Sequence, residues 1–135
     1  MKLHLNTADG QNSISGHGPG FVMVNTVVNE ARQTVRLESS AIIMPVQLIS
    51  PWPLAEPPAV GPGDFALLLA LKPEVVLFGC GAAFHFPDAR IMAAFSQARI
   101  GFDVMDTPAA CRTFNILISE GRNVAAALLI ADAGL

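Results

Sequence analysis

Charged residues are scarce in this sequence, and no run of basic residues occurs among its 135 positions. Only 14% of the residues are charged, the eight Lys and Arg residues are scattered along the chain, and the formal net charge is −3. Binding of long nucleic acids depends on clustered cations that neutralise phosphates. The sequence therefore argues against a nucleic-acid partner and favours small ligands or protein partners.

Long hydrophobic runs are also missing, although 52% of the residues are hydrophobic. The strongest candidates, Phe65–Leu71 and Val124–Ala131, fall far short of the roughly 18 residues that a membrane-spanning helix needs. The initial MKLHLNTADG lacks the apolar segment of a secretory signal. We therefore expect a cytoplasmic protein without a membrane span, whose association with a membrane would be peripheral and through a partner.

Cysteine is almost absent: Cys80 and Cys111 are the only two, and they form neither a CxxC pair nor a spaced metal-binding pattern. We expect both to be reduced thiols. His4 and His17 have no acidic or cysteine neighbours at ligand spacing. The sequence thus predicts no metal site and no cofactor.

The N-terminal half carries β-type patterns. A chain of this length can bury one packed core, so we predict a single domain over residues 1–135, with residues 1–18 as a loosely ordered, glycine-rich lead-in. The segment FVMVNTVVN, which starts at Phe21, predicts a strand, and Thr34–Leu37 is its predicted hairpin partner. Ala41–Ile49 predicts another strand, in which Pro45 marks an edge or a bulge.

Proline dominates the next segment. Five prolines lie from Pro51 to Pro62, which predicts a stiff, extended crossing of the surface. Within it, Trp52 is either an exposed interaction anchor or a lid packed on the edge of a sheet. Asp64 is predicted to cap a short helix over Phe65–Leu71, which Pro73 terminates.

Strands and helices alternate in the C-terminal half. Strands are predicted at Val75–Phe78, Phe102–Met105 and Val124–Ile130, the last apolar on both faces as expected of a central strand. Helices are predicted at Asp88–Arg99 and from Thr107, as the N-cap, to a stop at Gly121. Such alternation implies right-handed βαβ crossovers and a largely parallel sheet, so the predicted fold class is α/β.

The segment VLFGCGAAFHFP, from Val76 to Pro87, raises the question of phosphate binding. Gly79 and Gly81 fit the start of a G-x-G-x-x-G dinucleotide fingerprint, but Phe84 replaces the third glycine. No Walker-type motif is present either. Nucleotide binding is therefore disfavoured, and a tight turn after a strand is the simpler interpretation.

A milder functional interpretation is a crevice beyond the carboxyl ends of the strands, where open α/β sheets collect ligands. If the strands that end before the glycine turn and before the last helix are neighbours, helix N–H groups at this crevice are ready for an anion or a carboxylate. The candidate lining residues are Gly79, Cys80, Gly81, Thr107 and Cys111, with Asn115 or Arg122 as orienting groups. Thr113 and Asn115 are two apart on a helix, so at most one of them faces the crevice.

Several polar residues near the crevice allow more than one interpretation. Cys111 lies in the first turn of a helix beside Arg112, which favours a reactive thiolate, but a free cysteine is more often a small buried hydrophobe. His85, between two phenylalanines, is interpreted as a packing residue. Asp103 and Asp106 have opposite facings in a regular strand, which argues against an acid–base pair. The Glu-Gly-Arg at 120–122 predicts a polar turn, which an internal Glu–Arg ion pair would also fit.

The C-terminal segment MDTPAACRTFNILISEGRNVAAALL, from Met105 to Leu129, resembles the signature of a family of small domains of unknown function with a mitochondrial member that assists respiratory complex I assembly. LFGCGAAFHFP is similar to the strand, G-x-G turn and following proline of that family, and FVMVN with the later Pro-Trp matches more loosely. The resemblance covers nearly the whole chain. The matching positions of the C-terminal block are Met105, Thr107, Ala110, Thr113, Phe114, Asn115, Leu117, Glu120, Gly121 and Arg122.

The resemblance implies a single three-layer α/β domain with a central mixed, mostly parallel sheet, helices on its faces and an extra N-terminal β hairpin. It implies no established enzyme activity and no assigned catalytic residues. Two departures affect what carries over. Cys80 stands where a small residue or threonine is common, and the segment NEARQTVRLES is longer than the usual hairpin connection.

Two functions from different classes follow from the sequence. The first is a non-enzymatic assembly or adaptor factor that binds another protein. The second is a small-molecule or anion binding protein, or a weak enzyme, that uses the crevice between the Gly79–Gly81 turn and the start of the Thr107 helix.

Overall fold

The structure is a computed structural model, which describes residues 3–6 and 62 through their backbone and residues 11–53, 63–81 and 89–130 in full. The helices are a short 3-10 helix (Pro62–Phe65), α1 (Ala66–Leu71), α2 (Ala89–Gln97) and α3 (Thr107–Ser119). The strands are β1 (Leu3–Asn6), β2 (Ser13–Gly18), β3 (Phe21–Val28), β4 (Ala31–Leu37), β5 (Ala41–Ile43), β6 (Gln47–Ser50), β7 (Val75–Gly79), β8 (Gly101–Met105) and β9 (Val124–Leu128).

Six strands form the main sheet, in the order β1-β6-β5-β9-β7-β8. β7 pairs in parallel with both β8 and β9, but the other three pairings, β1–β6, β5–β6 and β5–β9, are antiparallel. The sheet is mixed, and the prediction that it is mostly parallel is wrong. Parallel neighbours need a long crossover, which α2 and α3 provide only between β7, β8 and β9.

A tight turn at Pro45 divides the predicted strand Ala41–Ile49 into β5 and β6. Ile43 pairs with Leu48, and the amide of Met44 donates to the carbonyl of Gln47 at 2.9 Å. Proline has no amide hydrogen for a strand ladder, so it is suited to a turn and breaks the run.

β2, β3 and β4 form a separate antiparallel sheet, called here the N-terminal sheet. The hairpin between β3 and β4 is confirmed, but β4 begins at Ala31, three residues before the predicted Thr34, so that the connection is only Asn29 and Glu30, with φ of 52° and 65°. Two residues with positive φ match the turn that follows the natural twist of paired strands. β1 and β2 also lie within residues 1–18, where the sequence predicted a loosely ordered lead-in.

Hydrophobic side chains of the main sheet alternate between two clusters. The α3-side core contains Ile43, Leu77, Ala126 and Leu128 together with Phe114 of α3 and the inner residues of the N-terminal sheet. The aromatic-side core contains Ile42, Phe78 and Ala127 with residues of α1 and α2. β9 is fully buried between β5 and β7, which confirms the prediction of a central strand.

Trp52 is buried, with 2% of its surface exposed, and so packs as a lid and not as an exposed anchor. Its indole Nε1 donates to the carbonyl of Asp64 at 3.0 Å, and its ring meets Phe65 edge-on at a centroid distance of 5.6 Å. Asp64 lies in the 3-10 helix, and the N-cap of α1 is Phe65, so the predicted capping role of Asp64 is wrong. The proline-rich stretch from 54 to 61 lies outside the described residues.

α1 ends at Leu71, and its C-cap Lys72 has a left-handed φ of 52° and comes directly before Pro73, the predicted terminator. α2 begins at Ala89 and buries Ile91 and Phe95. The longest described helix, α3, has 13 residues, and none of the described helices is long and apolar enough to cross a membrane.

Candidate functional site

The glycine turn and the start of α3 lie together at one end of the main sheet. β7 and β8 are neighbours, and Gly79 pairs with Met105 at their carboxyl ends. Beyond the strands, the amide of Cys80 donates to the carbonyl of Met105 at 2.9 Å, and the amide of Gly81 donates to Oγ1 of Thr107 at 3.1 Å. The strand adjacency on which the predicted crevice depends is therefore present.

Gly79 is required where it stands because other chain segments approach it closely. A Cβ at Gly79 would lie 2.8 Å from Cδ2 of Leu128, 3.2 Å from Cβ of Ala110 and 3.3 Å from Cα of Thr107. The carbonyl of Gly79 accepts from the amide of Leu129 at 2.8 Å. The absence of a side chain thus lets α3 begin directly against the sheet, which leaves little room for a ligand at this position.

Asp106, and not Thr107, is the N-cap of α3. Its Oδ1 accepts from the amide of Ala109 at 2.8 Å, and its own carbonyl accepts from the amide of Ala110 at 3.0 Å. Pro108, in the first turn, has no amide hydrogen. The carboxylate of Asp106 therefore takes the place at the helix N-terminus that an external anion would take.

The Thr107 hydroxyl joins three segments of the chain. It accepts from the amide of Gly81 and donates to the carbonyl of Leu129 at 3.3 Å. Both bonds are internal, so the Gly81 amide and the Thr107 hydroxyl, two of the groups at the predicted crevice, already have partners within the chain. In this role Thr107 ties the glycine turn and the end of β9 to the start of α3.

Both cysteines are free and buried. Cys111 is 2% exposed, and burial raises the pKa of its thiol from the ordinary 9.0 to about 11, against the opposing charge of Arg112. The thiolate is the nucleophile, so a thiol with this pKa is protonated near neutral pH. Cys80 is 4% exposed, and its Sγ donates to the carbonyl of Met105 at 3.3 Å. The structure favours the interpretation of Cys111 as a small buried hydrophobe.

Asn115 lies away from the crevice. It is eight residues beyond Thr107 on α3, which corresponds to about 12 Å along the helix axis. Its Oδ1 accepts from the amide of Ile14 at 2.9 Å, and its Nδ2 donates to the carbonyl of Ile14 at 2.7 Å. Asn115 therefore fastens β2 of the N-terminal sheet to α3, and the prediction that it orients a ligand in the crevice is not supported.

Arg122 lies at the opposite end of β7 from Gly79. Its Nε is 3.1 Å from Oε1 of Glu74, the residue that precedes β7. Oε2 of Glu74 accepts from the amide of Asn123 at 2.7 Å. The backbone amide of Asn123, followed by the Arg122 side chain, lowers the pKa of the Glu74 carboxyl. Arg122 thus makes an ion pair with Glu74 at the amino end of β7, whereas the predicted crevice lies at the carboxyl end. The prediction that Arg122 orients a ligand there is not supported.

The remaining predicted features have separate outcomes. Gly121 has a positive φ of 78°, so the predicted helix stop is present. Gly81 also has a positive φ, of 81°, but residues 82–88, over which the predicted turn continues, lie outside the described residues. His85 and Phe84 lie outside the described residues. Within the part of the chain that the structure describes, no group of three or more His, Cys, Asp or Glu residues has a metal-binding arrangement.

The sequence did not predict that β8 would be the border strand of the main sheet within the described residues. β8 is the last strand in the sheet order, and its exposed Asp103 alternates with the half-buried Phe102 and Val104. The signal was the apolar–acidic–apolar alternation in the segment GFDVM. That alternation is typical of a strand with one covered face, but it does not reveal which strand ends a sheet.

The sequence is similar to a family model and to several known proteins. The profile of a family described as a protein of unknown function (DUF498/DUF598) matches residues 14–129. The Mus musculus protein named NADH dehydrogenase (ubiquinone) 1 alpha subcomplex assembly factor 3 is 32% identical over 96 residues, which are 70% of this chain and 51% of that protein. A Francisella tularensis protein named 13 kDa major membrane protein is 35% identical over 63 residues, which are 47% of this chain and 51% of that protein.

This chain therefore spans about half the length of these two curated relatives. A solved Xanthomonas campestris structure, determined by NMR, has the same fold, with a TM-score of 0.73 and 34% sequence identity. The match covers 92% of this chain and 86% of the Xanthomonas chain.

Proposed function

Because the chain belongs to the family described as a protein of unknown function (DUF498/DUF598), whose relatives include complex I assembly factors, we propose that it is a non-enzymatic assembly or adaptor factor that binds a protein partner. The partner we propose is a subunit of a respiratory NADH dehydrogenase or another factor of its assembly. The similarity to the mouse assembly factor over 70% of this chain carries this proposal. Since the chain spans about half of that relative, the activity of the longer protein comes to this chain only as part of the proposal.

The hydrogen bonding at the crevice supports a binding domain over an enzyme. The Gly81 amide and the Thr107 hydroxyl bond each other, and the Asp106 carboxylate occupies the helix N-terminus. Catalysis needs groups that are free to contact the reacting atoms. The polar groups described here serve instead to hold the fold together.

A protein-crosslinking experiment tests the proposal. The tagged chain is expressed in its own source organism at native level, crosslinked in living cells and purified under denaturing conditions. We expect subunits or assembly factors of the respiratory NADH dehydrogenase among the crosslinked proteins, in excess over a control strain that expresses the tag alone. Deletion of the gene is expected to lower the amount of assembled NADH dehydrogenase on native gels.

The opposite results would reject the proposal. Crosslinks to none of these proteins, together with an unchanged amount of assembled NADH dehydrogenase in the deletion strain, would show that assembly is not the role of this chain.

The alternative, an anion or small-molecule site at the crevice, is placed second because the Gly81 amide, the Thr107 hydroxyl and the Ala109 amide already have partners within the chain. Thermal-shift measurements with phosphate, nucleotides and carboxylates test it directly. A ligand present at 100 times its dissociation constant stabilises the folded state by about 2.7 kcal/mol. We expect no such stabilisation, and a clear rise in Tm that Thr107→Val abolishes would favour the ligand site instead.

A further inference from the structure

Among the described residues, β8 is the last strand of the main sheet and pairs with β7 alone. The amide of Gly101 donates to the carbonyl of Glu74, and the carbonyl of Met105 accepts from the amide of Cys80, so these two residues bond toward β7. In a parallel ladder, alternate residues of a strand bond to the same side. The N–H and C=O groups of the intervening Phe102 and Val104 therefore point away from the sheet, and among the described residues β8 has a neighbour on one side only.

The two faces of β8 differ in character. Phe102 and Val104 are half-buried against the aromatic-side core, and the Phe102 ring lies 4.8 Å from that of Phe95. Asp103 points to the other face, on which its register partner Leu77 belongs to the α3-side core. Asp103 is exposed. Among the described residues, the edge thus offers two outward-pointing backbone positions with apolar side chains and, between them, a carboxylate on the opposite face.

We propose that this edge binds an extended segment of a partner protein as an added antiparallel strand, with a Lys or Arg of the partner opposite Asp103 and apolar residues on either side. The proposal rests on the protein-binding function proposed above and names the surface that performs it. One partner residue would lie opposite Phe102 and a second opposite Val104. Each of these two pairs would exchange two backbone hydrogen bonds. The partner residue between these two would face Asp103 in a non-hydrogen-bonded pair, in which opposite side chains lie closer together. The charge of that partner residue therefore decides which segment binds.

Charge complementarity excludes a second copy of this chain as the occupant. Antiparallel pairing of β8 with β8 uses both outward residues of both copies only when Phe102 of one copy faces Val104 of the other. In that register, Asp103 faces Asp103 of the other copy. Like charges directly opposite one another destabilise a strand pair. The same carboxylate that repels a second copy attracts a cationic segment.

Peptide titration monitored by NMR tests the proposal. The probe is a blocked peptide with a valine–lysine–valine core flanked by threonines, and the matched control peptide has glutamate in place of lysine. We expect amide shifts centred on Phe102 and Val104, and binding of the lysine peptide about threefold to tenfold tighter than that of the glutamate peptide. In the Asp103→Lys variant the preference is expected to reverse.

A second variant probes the backbone. Val104→Pro removes an outward amide hydrogen without removing a bond to β7, and proline is tolerated on edge strands. It is expected to weaken binding of the lysine peptide at least tenfold, with amide dispersion in the NMR spectrum as the check that the variant folds. If it does not fold, the charge reversal of Asp103→Lys still decides the question.

Three outcomes would overturn the proposal: no shifts at Phe102 and Val104 with millimolar peptide, equal affinity for the two peptides, or a dimer of the free chain that Val104→Pro dissociates. Crosslinks to NADH dehydrogenase proteins combined with any of these would reject the β8 edge and keep the assembly role. Peptide binding as expected, without such crosslinks, would keep the edge and reject the assembly role.

Discussion

Replacement of Asn115 by alanine removes the two hydrogen bonds that fasten the N-terminal sheet to α3. The bonds are short, at 2.9 Å from the Ile14 amide and 2.7 Å to the Ile14 carbonyl, and both are partly buried. Each such bond contributes about 0.5–1.5 kcal/mol, and the partners left unpaired add a desolvation cost, so we expect a loss of about 2–3 kcal/mol in the free energy of unfolding. This is a large part of the 5–15 kcal/mol that is typical of a whole domain.

Urea unfolding measures the Asn115→Ala effect, provided that the m-value is unchanged. Ser119→Ala is the matched control on the same helix, since the exposed Ser119 hydroxyl donates to the carbonyl of Ile116 within its own turn. We expect the control to stay within about 0.5 kcal/mol of the parent. Asn115→Asp also destabilises, because a carboxylate accepts from the Ile14 amide but has no hydrogen for the Ile14 carbonyl. An Asn115→Ala variant as stable as the Ser119→Ala control would refute the role assigned to this contact.

Three further predictions concern the end of the main sheet and its neighbouring helix. Gly79→Ala is expected to lower the free energy of unfolding, measured in urea, by about 1–3 kcal/mol, because the new Cβ would lie 2.8 Å from Cδ2 of Leu128. Gly63→Ala is the tolerated control, since a Cβ there would have no atom within 4 Å. Thr107→Val is expected to cost about 1–2 kcal/mol and Thr107→Ser much less, because only the serine keeps the hydroxyl; equal losses would contradict the hydrogen-bond explanation. The pKa of the Cys111 thiol is about 11 in the folded chain against the ordinary 9.0, so between these pH values the thiol ionises in the unfolded state but not in the folded state. The free energy of unfolding of the parent should therefore be unaffected by Cys111 below about pH 9 and should fall faster than that of Cys111→Ala as pH rises toward about 11. Parallel pH profiles would count against this.

The sequence predicted the C-terminal half better than the N-terminal half for a physical reason. Val75–Gly79, α3 and the stop at Gly121 are each specified by local signals: an apolar run, helical spacing and a residue that accepts positive φ. The order of the strands is not local. β5 pairs with β9, more than eighty residues later in the chain, and nothing within Ala41–Ile43 indicates an antiparallel partner. Prediction of a mostly parallel sheet failed at this step.

The candidate site divides in a similar way. The neighbouring positions of Gly79 and Thr107 follow from two strands that end at the same border, an adjacency that the sequence alone left as a condition. The choice between Asp106 and Thr107 as N-cap depends on which side chain reaches the Ala109 amide, and both residue types are good caps. Asn115 and Arg122 matched a family pattern, but a pattern does not show that one bonds to Ile14 and the other to Glu74.

Three successive alanines, Ala125, Ala126 and Ala127, form the middle of the central strand, and all are fully buried. Their side chains alternate between the two cores, so each methyl sets the spacing between the sheet and the layer that packs on it. Protein interiors are packed as densely as organic crystals, and an added methylene must displace its neighbours. Growth of any of these three side chains would therefore push Phe114 or the aromatic rings outward, and would be tolerated only with a compensating reduction on the facing helix. A larger residue at one of these alanines is thus expected to be accompanied by a smaller residue at the facing position of the covering helix.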